Sequence, residues 1–185
     1  MTEVEVKEKA SMKFFRGKLS GKDVVVVRSG IGKVNAGICT QILADDYQAD
    51  GIINTGIAGS LRAEINIGDI VISTDAVQHD MDAVAFGYPY GQIPRMEVLS
   101  FPADAGLMDA AFESCKAVLP ELGIFKGRVA SGAIAQAAYL NQIPFVILRA
   151  ISDKADDSAH MDYPTFEKQA IANSVKLIME MVTRV

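Results

Sequence analysis

Three polar segments follow apolar blocks of the sequence and hold most of the residues that could do chemistry. They are "SGIG" at residues 29–32, "NTGIAGSL" at 54–61 and "SDKADDSAH" at 152–160. In an open α/β sheet, ligands bind beyond the carboxyl ends of the strands, so these segments are the first candidates for a site. The first two are rich in glycine and leave room for a ligand, whereas the third supplies carboxylates.

Asp153 is the strongest candidate for acid–base chemistry. It follows the block "FVILRAI", where alternation places Arg149, Ile151 and Asp153 on one face of a strand. A carboxyl group held there against apolar neighbours could give a proton near neutral pH. Asp153 could equally cap the next element or pair with Lys154 or Arg149, and position alone leaves these roles open.

The glycine turn after the first valine block does not fit the common nucleotide-binding motifs. A Walker loop needs Ser or Thr after Lys33, where the chain has Val34, and a Rossmann fingerprint needs a glycine where it has Asn35. Gly30 and Gly32 could also simply turn the chain between two packed elements. The turn alone therefore does not identify a ligand.

Two other kinds of site are also poorly supported. His79, Asp80 and Asp82 are close in sequence, but polar residues in a loop are more often solvated than metal-bound, so we expect no metal site. Ser29 and Ser131 have no histidine at the spacing of a known acyl-transfer family. We expect neither a metal nor another cofactor.

Composition limits the class of protein. The chain has 185 residues, 50% of them apolar, which is enough for one core, and its net charge of -5 argues against nucleic acid as a partner. Cys39 and Cys115 show no metal-binding spacing, so we expect buried thiols and a cytoplasmic location. Residues 1–20 lack the apolar run of a signal peptide, and no segment suggests a membrane helix or a membrane partner.

Alternating strand-like and helix-like segments predict an α/β fold with a central, mixed and mostly buried sheet flanked by helices. The strand-like blocks are residues 23–27, 50–56, 68–73, 125–132 and 144–152. Helical spacing covers residues 33–47, 104–118, 133–141 and 164–184. In the last helix, one apolar stripe is predicted to hold Phe166, Ile171, Val175, Ile178 and Val182.

Residues 75–102 interrupt this alternation with a long segment rich in proline, glycine and aromatic residues. A long loop in a compact domain is usually functional or disordered. Aromatic residues gain by burial, which argues against disorder. We therefore expect an ordered loop that packs on a ligand or on a second subunit.

Five motifs follow one another in the order "SGIGKVNAG", "IINTGIAGSL", "GDIVIS", "HDMDAVAFGYPYGQIP" and "VILRAISDKAD". Together they resemble the bacterial 5′-methylthioadenosine/S-adenosylhomocysteine nucleosidases of the nucleoside phosphorylase superfamily. The resemblance covers nearly the whole chain, and the order and intervals make it specific. It implies a nucleoside phosphorylase-like fold, hydrolysis of the N-glycosidic bond with release of adenine, and no metal or cofactor.

The resemblance also implies roles for residues at the purine and ribose. Asp153 matches the aspartate that protonates the leaving purine, with Ser152 and Ala155 beside it. Tyr163 falls where the family often carries a Phe near the ribose. Two further substrate-binding positions are Ala58 and Gly59.

A second group of matches concerns the 5′-alkylthio group of the nucleoside. Ile31 and Phe86 match residues of its apolar pocket, and in the family the Phe86 position is offered across a dimer interface. Pro94 matches another interface residue. The resemblance therefore implies a homodimer.

The chain departs from the family at three places. Family members begin with a strand, a "GAM" turn and glutamates, one of which activates the attacking water, and this sequence has no such start. They also carry a longer segment, with an Asp-x-Phe turn and a Met-Glu pair, where Gly132 here meets Ala133. Ile57 stands where some members have a Ser that orients the aspartate.

We expect residues 1–185 to form a single domain that lacks the N-terminal strand and the segment between Gly132 and Ala133. Either mobile active-site segments are missing from this sequence, or the protein is short and has lost its chemistry. Asp153, Ile31 and Phe86 favour the first explanation. The alternative functions are a purine nucleoside phosphorylase, although "NTGIAG" offers no arginine for phosphate, and a non-catalytic nucleoside-binding domain.

Overall fold

The first 27 residues form an antiparallel sheet of three strands, in a computed structural model that describes residues 1–154 and 163–185. The strands are β1 (Thr2–Lys9), β2 (Met12–Leu19) and β3 (Lys22–Val27). The sequence analysis predicts only the last of them. The alternation of charged and apolar residues in "TEVEVKEK" is the signal for β1, because a strand places successive side chains on opposite faces.

Five further strands form a second sheet, in the order β4-β8-β5-β6, with β7 paired to β5. They are β4 (Ile52–Ser60), β5 (Ile70–Ala76), β6 (Phe101–Pro102), β7 (Ile124–Val129) and β8 (Phe145–Lys154). β5 runs antiparallel to both β8 and β6. β8 is buried over most of its length, as the apolar block "FVILRAI" predicts.

In the described residues, four α-helices begin and end within three residues of the predicted bounds. They are α1 (Lys33–Tyr47), α2 (Ala105–Val118), α3 (Gly132–Leu140) and α4 (Tyr163–Met181). α2 begins where it does because the Asp104 side chain accepts a hydrogen bond from the Leu107 amide at 2.8 Å. The alternation of strands and helices confirms the α/β prediction.

The chain divides into two compact units. Unit 1 comprises Met1–Ile52, Asp75–Ala103 and Arg128–Phe145. Unit 2 comprises Ile53–Thr74, Asp104–Gly127 and Val146–Val185. The expectation of a single domain over residues 1–185 stays a prediction.

Each unit has its own apolar cluster. In unit 1, Met12 and Phe14 of β2 pack with Cys39 and Ile42 of α1, and the Tyr47 ring stacks on Phe14 with centroids 5.4 Å apart. In unit 2, the strands contribute Ile70, Ile72, Val146, Leu148 and Ala150. The helices of unit 2 contribute Ala111, Cys115, Ala170, Leu177 and Met181.

One expectation of burial is wrong, and a second is borne out only in part. β3 is not a strand buried on both faces, because Val26 is exposed while Val25 and Val27 pack toward the cluster of unit 1. On α4, Ile171 and Val175 are also exposed. Ala170, Leu177 and Met181 of α4 enter the core, Ile178 of the predicted stripe packs against them and Val182 is buried. The side chain of Phe166 lies outside the described residues. A helix with apolar residues on two sides leaves the choice of buried face to its packing partners.

The join between Gly132 and Ala133 lies inside α3. A Cβ atom at Gly132 would lie 2.8 Å from the Val77 carbonyl oxygen and from Gln78 Cδ, so the helix can begin here only with glycine. The expected loss of a family segment at this join, and of an N-terminal strand, stays a prediction.

A buried carboxylate organises the turn before β5. Asp69 Oδ2 accepts the amide hydrogen of Asn66 at 2.7 Å, and Oδ1 accepts that of Gly123 at 2.8 Å. The Asp69 carbonyl oxygen accepts the Ile151 amide of β8 at 2.9 Å. One residue therefore ties the turn to two distant parts of unit 2.

Replacing Asp69 with alanine is expected to lower the free energy of unfolding by about 2–4 kcal/mol, because the amides of Asn66 and Gly123 lose a charged acceptor that is itself buried. Denaturant unfolding monitored by circular dichroism measures this change. Asp109→Ala is the matched control, because Asp109 is 76% exposed and pairs only with Lys126 at 3.3 Å in the described contacts. Equal effects of the two substitutions would contradict the role given to Asp69.

Candidate active site

The carboxylate of Asp153 is held between two neighbours near the end of β8. Its Oδ1 accepts the hydroxyl hydrogen of the buried Ser152 at 2.5 Å. On the adjacent strand β4, a Cβ atom at Gly59 would lie 2.7 Å from Asp153 Oδ2. The carboxylate therefore fits in this position because residue 59 has no side chain.

Arg149 lies two positions before Ile151 and four before Asp153, on the same face of β8. Its Nη2 donates to Asn54 Oδ1 at 2.6 Å, and its Nη1 donates to the Leu148 carbonyl at 2.8 Å. Burial lowers the pKa of Arg149 to about 10, so the guanidinium remains charged at neutral pH. The site thus combines a carboxylate with a cation along one strand.

The polar contacts of Lys154 and Arg149 bear on the alternative roles of Asp153. Lys154 Nζ donates to the Ala63 carbonyl at 2.6 Å, and Arg149 contacts Asn54. The short contact of Asp153 is made with Ser152. Whether Asp153 acts as an acid, a cap or an ion-pair partner stays a prediction.

The sequence analysis missed Asn54 and Gly56. A Cβ atom at Gly56 would lie 3.4 Å from Arg149 Nη1. The backbone of β4 therefore lies close to the side chain of Arg149 as well as to that of Asp153. The available signal was two polar residues, Asn54 and Arg149, each directly after apolar residues of its strand. Buried polar groups must find partners, and such residues therefore tend to meet.

The remaining predicted residues of unit 2 are only partly described. Ala58 is half-buried on β4, beside Gly59, and Ile57 is exposed. Tyr163 is the first residue of α4, and its side chain lies outside the described part of the structure, as does all of Ala155. The structure thus brings together Asp153, Ser152 and Gly59.

Ile31 and Phe86 belong to unit 1 and are both solvent-exposed, Ile31 by 95% and Phe86 by 82%. Ile31 lies between Gly30 and Gly32, whose φ angles of 78° and 98° confirm a tight turn after β3. Pro94 is exposed as well. Their shared role with Asp153 stays a prediction.

The loop at residues 77–100 is held by its own hydrogen bonds. Asp82 Oδ1 accepts the Val84 amide at 3.2 Å at the start of a short 3₁₀ helix, Val84–Phe86. The Gly91 amide donates to the Met81 carbonyl at 2.8 Å and closes the loop. The predicted order is confirmed, whereas packing on a ligand or a second subunit stays a prediction.

Within residues 1–154 and 163–185, no cluster of three potential metal ligands occurs. Asp80 contacts Lys33, and Asp82 accepts the Val84 amide. Cys39 and Cys115 are free and buried, which confirms that prediction, and burial raises the pKa of each thiol to about 11. In the same described residues, no helix has the length and apolarity to cross a membrane.

Comparison with known proteins identifies relatives along the whole chain. The model of the family described as the phosphorylase superfamily matches residues 1–133 and 130–183. A protein of Exiguobacterium sp. named 5′-methylthioadenosine/S-adenosylhomocysteine nucleosidase is 36% identical, with 100% of this chain and 90% of the relative covered. A protein of the same name from Anoxybacillus flavithermus is 37% identical, with coverage of 94% and 86%.

Solved structures of nucleosidases have the same fold. The enzyme of Neisseria meningitidis, in complex with methylthio-immucillin-A, matches with a TM-score of 0.92 at 33% identity, covering 100% of this chain and 91% of that chain. The enzyme of Colwellia psychrerythraea, in complex with adenine, matches with a TM-score of 0.88 at 32% identity, with coverage of 99% and 87%. These matches confirm the predicted nucleoside phosphorylase-like fold.

The comparisons also show a difference in length between this chain and a relative. The two stretches matched by the family model meet at residues 130–133. The alignment with the Exiguobacterium protein spans 215 positions, more than the 185 residues of this chain, so that relative carries residues which this chain lacks.

Gly59→Ala is expected to displace the Asp153 carboxylate. To restore an ordinary contact of 3.4 Å from a Cβ atom at 2.7 Å, Oδ2 must move by about 0.7 Å, which weakens the bond from Ser152. A crystal structure of the variant measures the displacement. Gly127→Ala on β7 is the control, because a Cβ atom there meets nothing within 4 Å. An unmoved carboxylate in Gly59→Ala would contradict this constraint.

Proposed function

Because the chain belongs to the phosphorylase superfamily and to its family of 5′-methylthioadenosine/S-adenosylhomocysteine nucleosidases, we propose that it hydrolyses the N-glycosidic bond of these nucleosides. The products are adenine and the 5′-thio-substituted ribose. The observation that carries the proposal is the positioned carboxyl group of Asp153, fixed by Ser152 and given room by Gly59. It supplies the acid that a purine leaving group needs.

In the proposed reaction, the bond between ribose C1′ and the purine nitrogen breaks as positive charge develops on the ribose ring. Asp153 delivers a proton to the purine, which then leaves as neutral adenine rather than as an anion. Water adds its oxygen to C1′ and loses a proton to complete the hydrolysis. Ser152 occupies Asp153 Oδ1, so Oδ2 beside Gly59 is the oxygen that would face the base.

Water is favoured over phosphate as the acceptor. Phosphate is usually held by arginines with bidentate geometry, and the glycine-rich end of β4 contains none. Arg149 directs its guanidinium to the Asn54 side chain and the Leu148 carbonyl. The glutamate that activates water in the family has no counterpart in the motifs of this sequence, so the measured rate also tests whether the chain is catalytic or only binds nucleoside.

The 5′-alkylthio group would lie against Ile31 and Phe86, because an uncharged thioether prefers an apolar wall. Two large apolar side chains exposed by 95% and 82% gain by being covered. We therefore propose a homodimer in which Phe86 and Pro94 of one subunit contact the other. Binding energy at the 5′ group would help to position the ribose.

We place the enzyme in the cytoplasm, in the salvage of methionine from thio-nucleosides. Two buried free thiols, each with a pKa near 11, suit a reducing compartment. Its partners in this proposal are a nucleoside and a second copy of the chain, with neither nucleic acid nor membrane involved.

Asp153→Asn is expected to reduce adenine release from methylthioadenosine by at least about a hundredfold, because the amide keeps the size but cannot deliver a proton. Adenine release and thermal unfolding are measured on the same preparation. Asp109→Asn, at an exposed carboxylate on α2, is the control and should retain full turnover.

Three outcomes would contradict the proposal. Near-normal turnover in Asp153→Asn would remove this residue from the mechanism. Ribose 1-phosphate formed only with added phosphate would identify a phosphorylase. Binding of methylthioadenosine by the wild-type protein without adenine release would identify a nucleoside-binding domain.

Phe86→Ala is expected to weaken the homodimer by about tenfold or more, because a central aromatic side chain often dominates an interface. Sedimentation at micromolar concentration measures the dissociation constant. Val175→Ala, which also truncates an exposed apolar side chain, is the control. A wild-type protein that stays monomeric with full activity would overturn the proposed assembly.

A further inference from the structure

The positive charge of Lys33 is unfavourable at its position, the N-terminus of α1. Lys33 is the first residue of α1, where the unpaired amides of the helix make positive charge unfavourable. The first turn of α1 holds no acidic residue, and its cap, Gly32, makes no side-chain hydrogen bond. Helix formation alone therefore does not explain a lysine at this position.

The partner of Lys33 lies in another segment of unit 1. Lys33 Nζ donates to Asp80 Oδ1 in a short ion pair that joins residues 47 positions apart in the sequence. The hydrogen bond from Lys33 holds the pKa of Asp80 below its usual range. Asp80 brings a negative charge to the residue that begins α1, which offsets the unfavourable lysine.

Asp80 is also attached to the loop that carries Phe86. The next residue, Met81, donates its amide to the Gln78 carbonyl at 3.1 Å and accepts the Gly91 amide at 2.8 Å. Asp82 Oδ1 then accepts the amide of Val84, the first residue of the 3₁₀ helix Val84–Phe86. These bonds lie inside the loop and none of them joins it to α1, so a loop that loses its attachment to α1 should open them more often.

Gln78 anchors the base of this loop through a 3.0 Å hydrogen bond from its Nε2 to Gln136 Oε1. The tip of the loop lies several residues farther on. The Lys33–Asp80 contact ties the loop to the turn containing Ile31, which is two residues before Lys33.

We propose that the Lys33–Asp80 ion pair is a clamp that fixes the direction in which the Phe86 loop is presented, and that this clamp sets the preference for an apolar 5′ group on the nucleoside. The specificity part rests on the proposed function, in which Ile31 and Phe86 contact the 5′-alkylthio group. Lys33 and Asp80 are positioning residues and do not themselves touch substrate.

The size of the effect follows from the exposure of the pair. Lys33 is 48% and Asp80 56% exposed in their side chains, so water and salt screen the attraction. Breaking it should raise KM for methylthioadenosine roughly two- to fivefold. The KM for adenosine, which has a 5′-hydroxyl, should change less, and kcat should be retained because Asp153 is untouched.

The experiment compares the wild type with Lys33→Gln, Asp80→Asn and the charge exchange Lys33→Asp/Asp80→Lys. Hydrogen exchange of the Phe86, Gly87 and Gly91 amides reports on the loop without any need for catalysis. Both single variants should exchange faster at these amides, and the charge exchange should restore protection. Lys126→Gln, which breaks the exposed Lys126–Asp109 pair of unit 2, is the control.

Steady-state kinetics with methylthioadenosine and adenosine tests the specificity part. Unchanged hydrogen exchange in both single variants would overturn the clamp. Faster exchange with an unchanged ratio of the two KM values would overturn its role in specificity. If the wild type released no adenine, the proposed function would fall, and hydrogen exchange would still decide whether the clamp exists.

Discussion

The close approach of β4 to the side chains of β8 is the constraint on which the site depends. At Gly59 the backbone leaves a space that the Asp153 carboxylate fills, and a single Cβ atom there would lie 2.7 Å from Oδ2. At Gly56 the same strand lies against the Arg149 guanidinium. Glycine weakens a strand, because it loses more conformational entropy on folding than other residues and has no side chain to pack. In β4 that loss is offset by the room given to two charged groups.

Charged groups inside unit 2 are held by polar contacts. Asp69 accepts two backbone amides, Arg149 donates to Asn54 and to a carbonyl, and Asp153 accepts the hydroxyl of Ser152. Removal of a charge from water is unfavourable unless hydrogen bonds replace the lost hydration. These contacts therefore both stabilise the unit and fix the directions of its charged side chains. Asp69 shapes the turn before β5, whereas Ser152 orients the Asp153 carboxylate.

Unit 1 differs from unit 2, because its functional candidates, Ile31 and Phe86, are apolar and exposed. Ile31 lies on a glycine turn and Phe86 on a loop closed by backbone hydrogen bonds, so neither position depends on burial of the side chain itself. The positions of Ile31 and Phe86 depend instead on the φ angles of Gly30 and Gly32 and on the ion pair between Lys33 and Asp80. Side chains presented in this way remain available for a ligand or another subunit.

The sequence alone determined the order of the four helices and of five of the described strands, and it indicated Asp153 as the candidate acid. Strand-like blocks and helical spacing predict α1 and β8 closely, because local apolar patterns encode them, and Asp153 is recognisable from its place after an apolar strand. The alternation of charged and apolar residues in "TEVEVKEK" also encodes β1, although the sequence analysis did not use this signal.

Only the tertiary structure decided what each candidate contacts. The pairing of Asn54 with Arg149, of Gly59 with Asp153 and of Lys33 with Asp80 joins residues 47 to 95 positions apart, and no local pattern specifies such partners. The buried face of α4 was likewise chosen by its neighbours, because apolar residues occupy more than one side of that helix. Residue type and spacing predict which groups can react, whereas strand neighbours and loop closure decide which of them meet.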